Sequence, residues 1–183
     1  LRGESGEEAL TRLFSPPLFP VALTQLPGRF EHVGFKSGDT LTLHDGLEIA
    51  TLPLNHPGGA TGFRFAFGGR AVCYISDIEH GEVWPEPDLL HFVRGADLVM
   101  FDGMFTEGEY PACRGWGHST WQKGVDLCRA ADVRQLGIVH HYPQHGDALL
   151  HDLEQQLQAV MPTAFVARER QEVVLPAKVR VPE

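Results

Sequence analysis

The segment from residue 60 to residue 140 constrains the fold more than any other part of this sequence. It opens with two β-prone runs, ATGFRFAF and RAVCYIS, joined by Gly68 and Gly69. Paired glycines supply the positive φ angles of a two-residue hairpin turn. Beyond the hairpin, the pattern predicts a helix (87–95), a buried strand (96–102), a helix (119–132), a buried strand (134–140) and a helix (147–160). Strands that alternate with helices are typical of α/β folds.

The two ends of the chain carry weaker signals. Ser5, with Glu8 three residues later, predicts a capping box for a short helix that ends before Pro16 and Pro17. Apolar alternation and flanking turn residues predict further strands near 29–35, 39–43, 47–54, 163–167 and 171–175. We find no internal repeat and no interdomain linker, so we expect residues 1–183 to form a single domain.

The composition limits the partners of this chain. Its 15 Lys and Arg against 24 Asp and Glu give a net charge of -9, which disfavours a basic groove for nucleic acid. Nucleic acid is therefore not an expected partner, and a small phosphate pocket is compatible with this charge. Three separated cysteines form no C-x-x-C pair, and no apolar run is long enough to cross a bilayer. We expect no membrane association and a cytoplasmic location.

Three residues that can bind metal follow apolar strands directly. His56 follows TLPLN, Asp77 follows AVCYIS and His140 follows LGIV. In α/β folds, the carboxyl ends of the strands form the functional edge of the sheet. Alone, a histidine at a strand end is more often a hydrogen-bonded structural residue than a ligand, and Asp77 alone could be a turn or helix-capping residue. Together they form a nitrogen and oxygen donor set that suits Zn²⁺, Mn²⁺ or Fe²⁺.

Four successive segments resemble the motifs of metallo-β-lactamase-fold hydrolases. They are LNHPGGATGFRFAFGGRAVCYISDIEH, ADLVMFDGMF, GWGHSTW and GIVHHYPQH. The cyclic phosphodiesterase and ribonuclease Z branches are the most similar groups, and the resemblance runs from about the SPPLFP segment to the His140 strand. It implies a four-layer αββα sandwich.

The resemblance also implies roles for individual residues. His56 and His140 would be metal ligands, and the carboxylate of Asp77 would bridge two metals. We favour His140 over His141, because the apolar run ends at Val139. His118 would contact the phosphate or transfer a proton, with Asp102 as its acidic partner. The alternative for His118 is an ordinary position before a helix.

Other histidines lack ligand partners at suitable spacing, and we interpret them as surface or packing residues. They are His32, His44, His80, His91, His145 and His151. Trp116, beside the GHST segment, is a candidate for a pocket wall, although packing is the more common role of such a residue.

One motif of the resembling families has no counterpart here. They carry an early H-x-H-x-D-H cluster that supplies ligands to both metals, and no such cluster occurs in these 183 residues. The sequence also begins with Leu1 within an amphipathic pattern. We therefore expect an N-terminal portion with several strands to be missing from this chain. We expect two divalent ions (Zn, Mn or Fe) in the complete protein, and partial or no occupancy in this chain.

The expected function is that of a metal-dependent hydrolase. For the parent protein we predict a phosphodiesterase in which a hydroxide bound to two metals attacks a small-molecule phosphoester. The first alternative is a non-catalytic fragment that keeps the fold for protein interaction. The second is a lactam or thioester hydrolase of the same fold. The sequence leaves a homodimer open.

Overall fold

The structure is a computed structural model, and it describes residues 5–43 and 46–175. The chain divides into two compact units, Leu1–Lys36 and Ser37–Glu183. The prediction of a single domain over residues 1–183 stays a prediction. His44 lies outside the described residues.

Over residues 5–36, which the structure describes, the first unit contains one α-helix and one short 3₁₀-helix. Helix α1 (Gly6–Leu13) begins with the predicted capping box, in which Ser5 and Glu8 exchange backbone-to-side-chain hydrogen bonds of 3.1 and 2.7 Å. A single 3₁₀ turn covers Leu23–Gln25. Residues 29–35 form no strand, although the structure describes them, so that prediction is wrong. Apolar alternation alone does not make a strand, because a strand also needs a hydrogen-bonded neighbour.

The second unit is built on one seven-stranded sheet whose spatial order equals its sequence order. The strands are β1 (Thr40–Thr42), β2 (Glu48–Leu54), β3 (Ala60–Phe67), β4 (Arg70–Ile75), β5 (Leu98–Asp102), β6 (Leu136–Val139) and β7 (Phe165–Val166). Pairing is antiparallel from β1 to β4 and parallel from β4 to β7. Strands β2, β4, β5 and β6 therefore run in the same direction, and their carboxyl ends lie along one edge of the sheet.

The hairpin between β3 and β4 has the predicted two-residue turn. Phe67 pairs with Arg70, and the two intervening glycines have φ angles of 56° and 73°. These left-handed angles match the twist of the flanking strands and are easily adopted by glycine. The hairpin fixes the register of β4 and so determines where Asp77 leaves the sheet.

Helices cover one face of the sheet. They are α2 (Pro87–Val93), α4 (Trp121–Ala130) and α5 (Asp147–Val160), with the short α3 (Tyr110–Cys113) outside the main core. Alternate residues of the central strands contribute one side of this core: Cys73, Ile75, Val99, Phe101, Leu136 and Ile138. Buried residues of the helices contribute the other side: Leu89, Val93, Val125, Leu127, Cys128 and Leu157. The predicted α/β class is confirmed.

Most predicted elements of the second unit are confirmed within two or three residues of their expected ends. The exceptions are residues 171–175, which form no strand although they are described, and α3, which the sequence pattern did not predict. Within the described residues, no helix is long and apolar enough to cross a membrane.

Candidate active site

The carboxyl edge of the sheet collects the polar residues that the sequence singled out. His56 lies two residues beyond β2, Asp77 two residues beyond β4, and His140 directly after β6. Asp102 is the last residue of β5. Because β4, β5 and β6 are adjacent and parallel, three of these residues are neighbours across the sheet.

Two of these residues have an unusual backbone conformation. Asp77 and His140 each have a φ angle of 61°, in the left-handed region that few non-glycine residues occupy. Such positions cost about 1–3 kcal/mol and cluster at functional sites. Both residues lie just beyond the end of a strand. The backbone N–H of Asp77 and the ring Nδ1 of His140 both lie within hydrogen-bond distance of Asp102.

Asp102 is the buried centre of this edge, with no solvent-exposed surface. Its two oxygens lie near five donors: the backbone N–H groups of Asp77 (3.0 Å), Met104 (3.1 Å) and Ser119 (3.5 Å), and Nδ1 of His118 (2.9 Å) and His140 (3.2 Å). Burial alone would raise the pKa of Asp102, but the hydrogen bonds from His140 and His118 and their charges lower it overall. Asp102 is therefore held as a carboxylate.

Asp77 differs from Asp102 in its exposure. Its side chain is 47% exposed, and Oδ1 faces three imidazoles. The distances are 3.5 Å to Nδ1 of His140, 3.9 Å to Nδ1 of His118 and 4.0 Å to Nε2 of His56. Asp77 thus presents a carboxylate oxygen at the opening of the site.

Asp102 orients the rings of His118 and His140. A carboxylate that accepts a hydrogen bond from Nδ1–H fixes the tautomer in which Nε2 carries the lone pair. The two rings lie edge to face with centroids 4.6 Å apart. Hydrogen bonding to Asp102, opposed by burial, raises the pKa of His140. Ser76 Oγ also lies 3.1 Å from Nδ1 of His140.

His56 joins the site from β2. Its ring centroid is 5.6 Å from that of His118, and its side chain is 23% exposed. Nδ1 of His56 is buried and has no hydrogen-bond partner among the described residues. A buried nitrogen without a partner is costly, whereas Nε2, 4.0 Å from Oδ1 of Asp77, is the nitrogen that faces the site.

The residues present fit a divalent metal. Ligand atoms of Asp77, Asp102, His118 and His140 lie within 4.8 Å of one another. This group includes Asp77 and His140, two of the three predicted ligands. The third, His56, is not in the group, and its Nε2 lies 4.0 Å from Oδ1 of Asp77. Because Asp102 engages Nδ1 of both His118 and His140, the nitrogen that each ring could offer to a metal is Nε2, and Asp77 would offer its exposed Oδ1. Asp102 is fully buried and hydrogen-bonded, which favours an orienting role for it.

Two residues to which the sequence gave no role in the site, His80 and Glu79, contact the segment that carries His118. His80, interpreted as a surface or packing residue, is hydrogen-bonded to Ser119 Oγ at 2.8 Å and stacks on Tyr110 with ring centroids 4.0 Å apart. Burial and the charge of Lys123 lower the pKa of His80 to about 4, so this ring is neutral near pH 7. The carboxylate of Glu79 accepts hydrogen bonds from the loop that carries His118. No motif spacing in the sequence indicated either role.

Trp116 and His145 lie outside the group of candidate metal ligands. Trp116 is 56% exposed and packs edge-on against Phe105. His145 is nearly buried, and its Nε2 lies 2.9 Å from Glu109, which agrees with the packing interpretation.

Comparison with known proteins identifies the family. Residues 7–141 match the family described as the beta-lactamase superfamily domain. This chain belongs to that superfamily. It is 25% identical over 134 residues to a ribonuclease Z from Ligilactobacillus salivarius and 28% identical over 141 residues to one from Synechococcus sp. (strain WH7803). The matches cover 73% and 75% of this chain and only 38% and 40% of those relatives.

The solved structures agree on the fold. The metallo-beta-lactamase fold protein YhfI from Bacillus subtilis superposes with a TM-score of 0.63 at 19% identity, covering 75% of this chain and 52% of that one. The predicted metallo-β-lactamase fold is confirmed.

Proposed function

We propose that this chain contributes to the active site of a metal-dependent hydrolase that acts on phosphodiesters. In this proposal His56, Asp77 and His140 are metal ligands, and His118 and Asp102 form a catalytic pair. A second divalent cation belongs to the same proposal, and Asp77 would be the residue that both cations share. Membership of the beta-lactamase superfamily and the ribonuclease Z relatives support it.

One observation carries the proposal. The buried Asp102 lies 2.9 Å from His118 and 3.2 Å from His140, and both rings lie within 4 Å of the exposed carboxylate of Asp77. A site of this kind combines open ligands with an imidazole whose tautomer is fixed. A purely structural cluster would not need a half-exposed carboxylate facing three imidazoles.

The side chains have separate tasks in this mechanism. A bound divalent cation would supply Lewis acidity towards a phosphoryl oxygen and lower the pKa of water. Asp102 holds His118 by Nδ1, which leaves Nε2 to bind a phosphoryl oxygen or to exchange a proton with the leaving group. Asp77 offsets the positive charge at the opening of the site. The left-handed backbone at Asp77 and His140 fixes these two residues just beyond the ends of β4 and β6, the strands that flank β5.

The substrate in this proposal is a small phosphodiester. The net charge of -9 disfavours contact with a long polyanionic backbone. The expectation that nucleic acid is not a substrate stays a prediction, because the relatives above carry the name ribonuclease Z.

A substrate panel tests the function. The protein, with any residues that its reading frame encodes before Leu1, is loaded with Zn²⁺ or Mn²⁺ and assayed against bis-nitrophenyl phosphate, a structured RNA, a lactam and a thioester. We expect turnover of the phosphodiester, and we expect its rate to fall about 100-fold in His118→Ala. Turnover of the lactam or thioester without the phosphodiester would overturn the proposal. Preferential cleavage of RNA would instead overturn the choice of a small substrate.

A further inference from the structure

Glu79 connects three segments that carry candidate site residues. It lies two residues after Asp77, on the loop that leaves β4. Its backbone N–H donates to the carbonyl of Asn55 at 2.8 Å, and its own carbonyl accepts from Nδ2 of Asn55 at 2.9 Å. This reciprocal pair ties Glu79 to the residue that precedes His56.

The carboxylate of Glu79 holds the opposite side of the site. It accepts hydrogen bonds from the backbone N–H groups of Gly115 (2.7 Å) and Gly117 (3.0 Å), one on each oxygen. The hydroxyl of Tyr110 lies 3.3 Å from the same carboxylate. Gly117 directly precedes His118, so Glu79 binds the loop at the residue next to the candidate catalytic histidine.

The loop held in this way lies directly against His56. Gly117 has a φ angle of 92°, and a Cβ atom built on it would overlap the ring of His56, 2.6 Å from Nε2. The backbone of Gly117 therefore packs against this imidazole. Any outward movement of the loop would remove that contact and change the 5.6 Å separation of the His56 and His118 rings.

We propose that Glu79 is a positioning residue, which fixes the spacing of His56 and His118 by holding Asn55 through its backbone and Gly117 through its side chain. Two N–H groups that point to the two oxygens of one carboxylate make charge-assisted hydrogen bonds, which are stronger than neutral ones. Neither an amide nor a shorter side chain reproduces this arrangement. The role of His56 and His118 in catalysis rests on the proposed function, whereas the position of the loop does not.

Amide hydrogen exchange tests the positioning directly, without any activity. In Glu79→Gln we expect exchange at Gly117 to accelerate about 10- to 100-fold, the range for loss of a hydrogen bond to a charged group. Glu79→Asp keeps the charge on a shorter side chain and should give an intermediate rate. The amide of Val99, which donates to the carbonyl of Gln135, is an internal reference outside this loop. Glu82→Gln changes an exposed glutamate three residues away and should leave Gly117 unchanged.

A cobalt titration connects the loop to metal binding. Because His56 packs against Gly117, we expect Glu79→Gln to weaken Co²⁺ binding about 10-fold or more, the size seen for residues that orient ligands, with no change in Glu82→Gln. Unchanged exchange at Gly117 in both Glu79 variants would overturn the proposal. Faster exchange at Gly117 with unaltered Co²⁺ affinity would overturn the link from the loop to His56. Faster exchange in a protein without hydrolase activity would refute the proposed function alone.

Discussion

The carboxyl ends of β4 and β5 hold two aspartates with opposite environments. Asp77, beyond β4, has a side chain that is 47% exposed, and it contacts three imidazoles only at 3.5 Å or more. Asp102, at the end of β5, is completely buried and lies within hydrogen-bond distance of five donors. The same residue type is thus a half-exposed carboxylate in one place and a buried hydrogen-bond acceptor in the other.

The strand register explains this difference. Ile75 pairs with Phe101, so Asp102 is level with Ser76 and still lies between neighbouring strands. Asp77 is one residue further out, where its φ angle of 61° turns the chain away from the sheet. The position of an aspartate relative to the end of its strand therefore determines whether it can serve a metal or orient other side chains.

Asp77→Ala should have the largest effect. We expect metal binding to fall at least about 100-fold and hydrolysis to be abolished, because the imidazoles lose the carboxylate that offsets the cation charge. The free energy of unfolding of the metal-free protein should change little. Metal content by mass spectrometry and denaturant titration measure the two effects, with the exposed Asp152→Ala as the control. Full metal occupancy and an unchanged rate would remove Asp77 from the site.

Asp102→Asn should instead destabilise the fold. An amide accepts hydrogen bonds on only one of its two terminal atoms, so several of the five donors would lose their acceptor in a buried place. We expect the free energy of unfolding to fall by roughly 2–4 kcal/mol. Urea denaturation of Asp102→Asn and Asp77→Asn makes the comparison. Equal losses in the two variants would mean that burial does not separate these aspartates.

His118→Ala tests the imidazole that Asp102 orients. We expect metal content to be retained and kcat to fall about 100-fold, the usual size of a general acid or base contribution. Steady-state kinetics and metal analysis of the same sample provide both values. Loss of metal equal to that in Asp77→Ala would instead assign His118 to the ligands.

His141→Ala should have the smallest effect and sharpens the choice between adjacent histidines. His141 Nε2 lies 3.2 Å from the carbonyl of Ala167, whereas the ring of His140 lies beside both Asp77 and Asp102. We expect His141→Ala to change Co²⁺ affinity less than about threefold and His140→Ala to reduce it at least tenfold. The reverse order would identify His141 as the ligand.

The sequence alone determined the order of elements and the residues at the strand ends. The glycine pair predicted the β3–β4 turn, and the apolar runs that end before His56, Asp77 and His140 predicted a polar edge, because both signals are local. Residues 29–35 and 171–175 carried the same alternation without becoming strands. Strand formation depends on a neighbour, and alternation does not reveal whether a neighbour is present.

Only the tertiary structure decided how these residues work together. Asp102 and Asp77 look alike in sequence, and their different burial follows from the register of β4 against β5. The sequence assigned no role to Glu79, although it lies in one of the four resembling segments. Its proposed positioning role rests on contacts with Asn55 and Gly117, which are 24 and 38 residues away in the chain. Local patterns follow from the chemistry of neighbouring residues, whereas such contacts form only when the packed sheet brings distant loops to one edge.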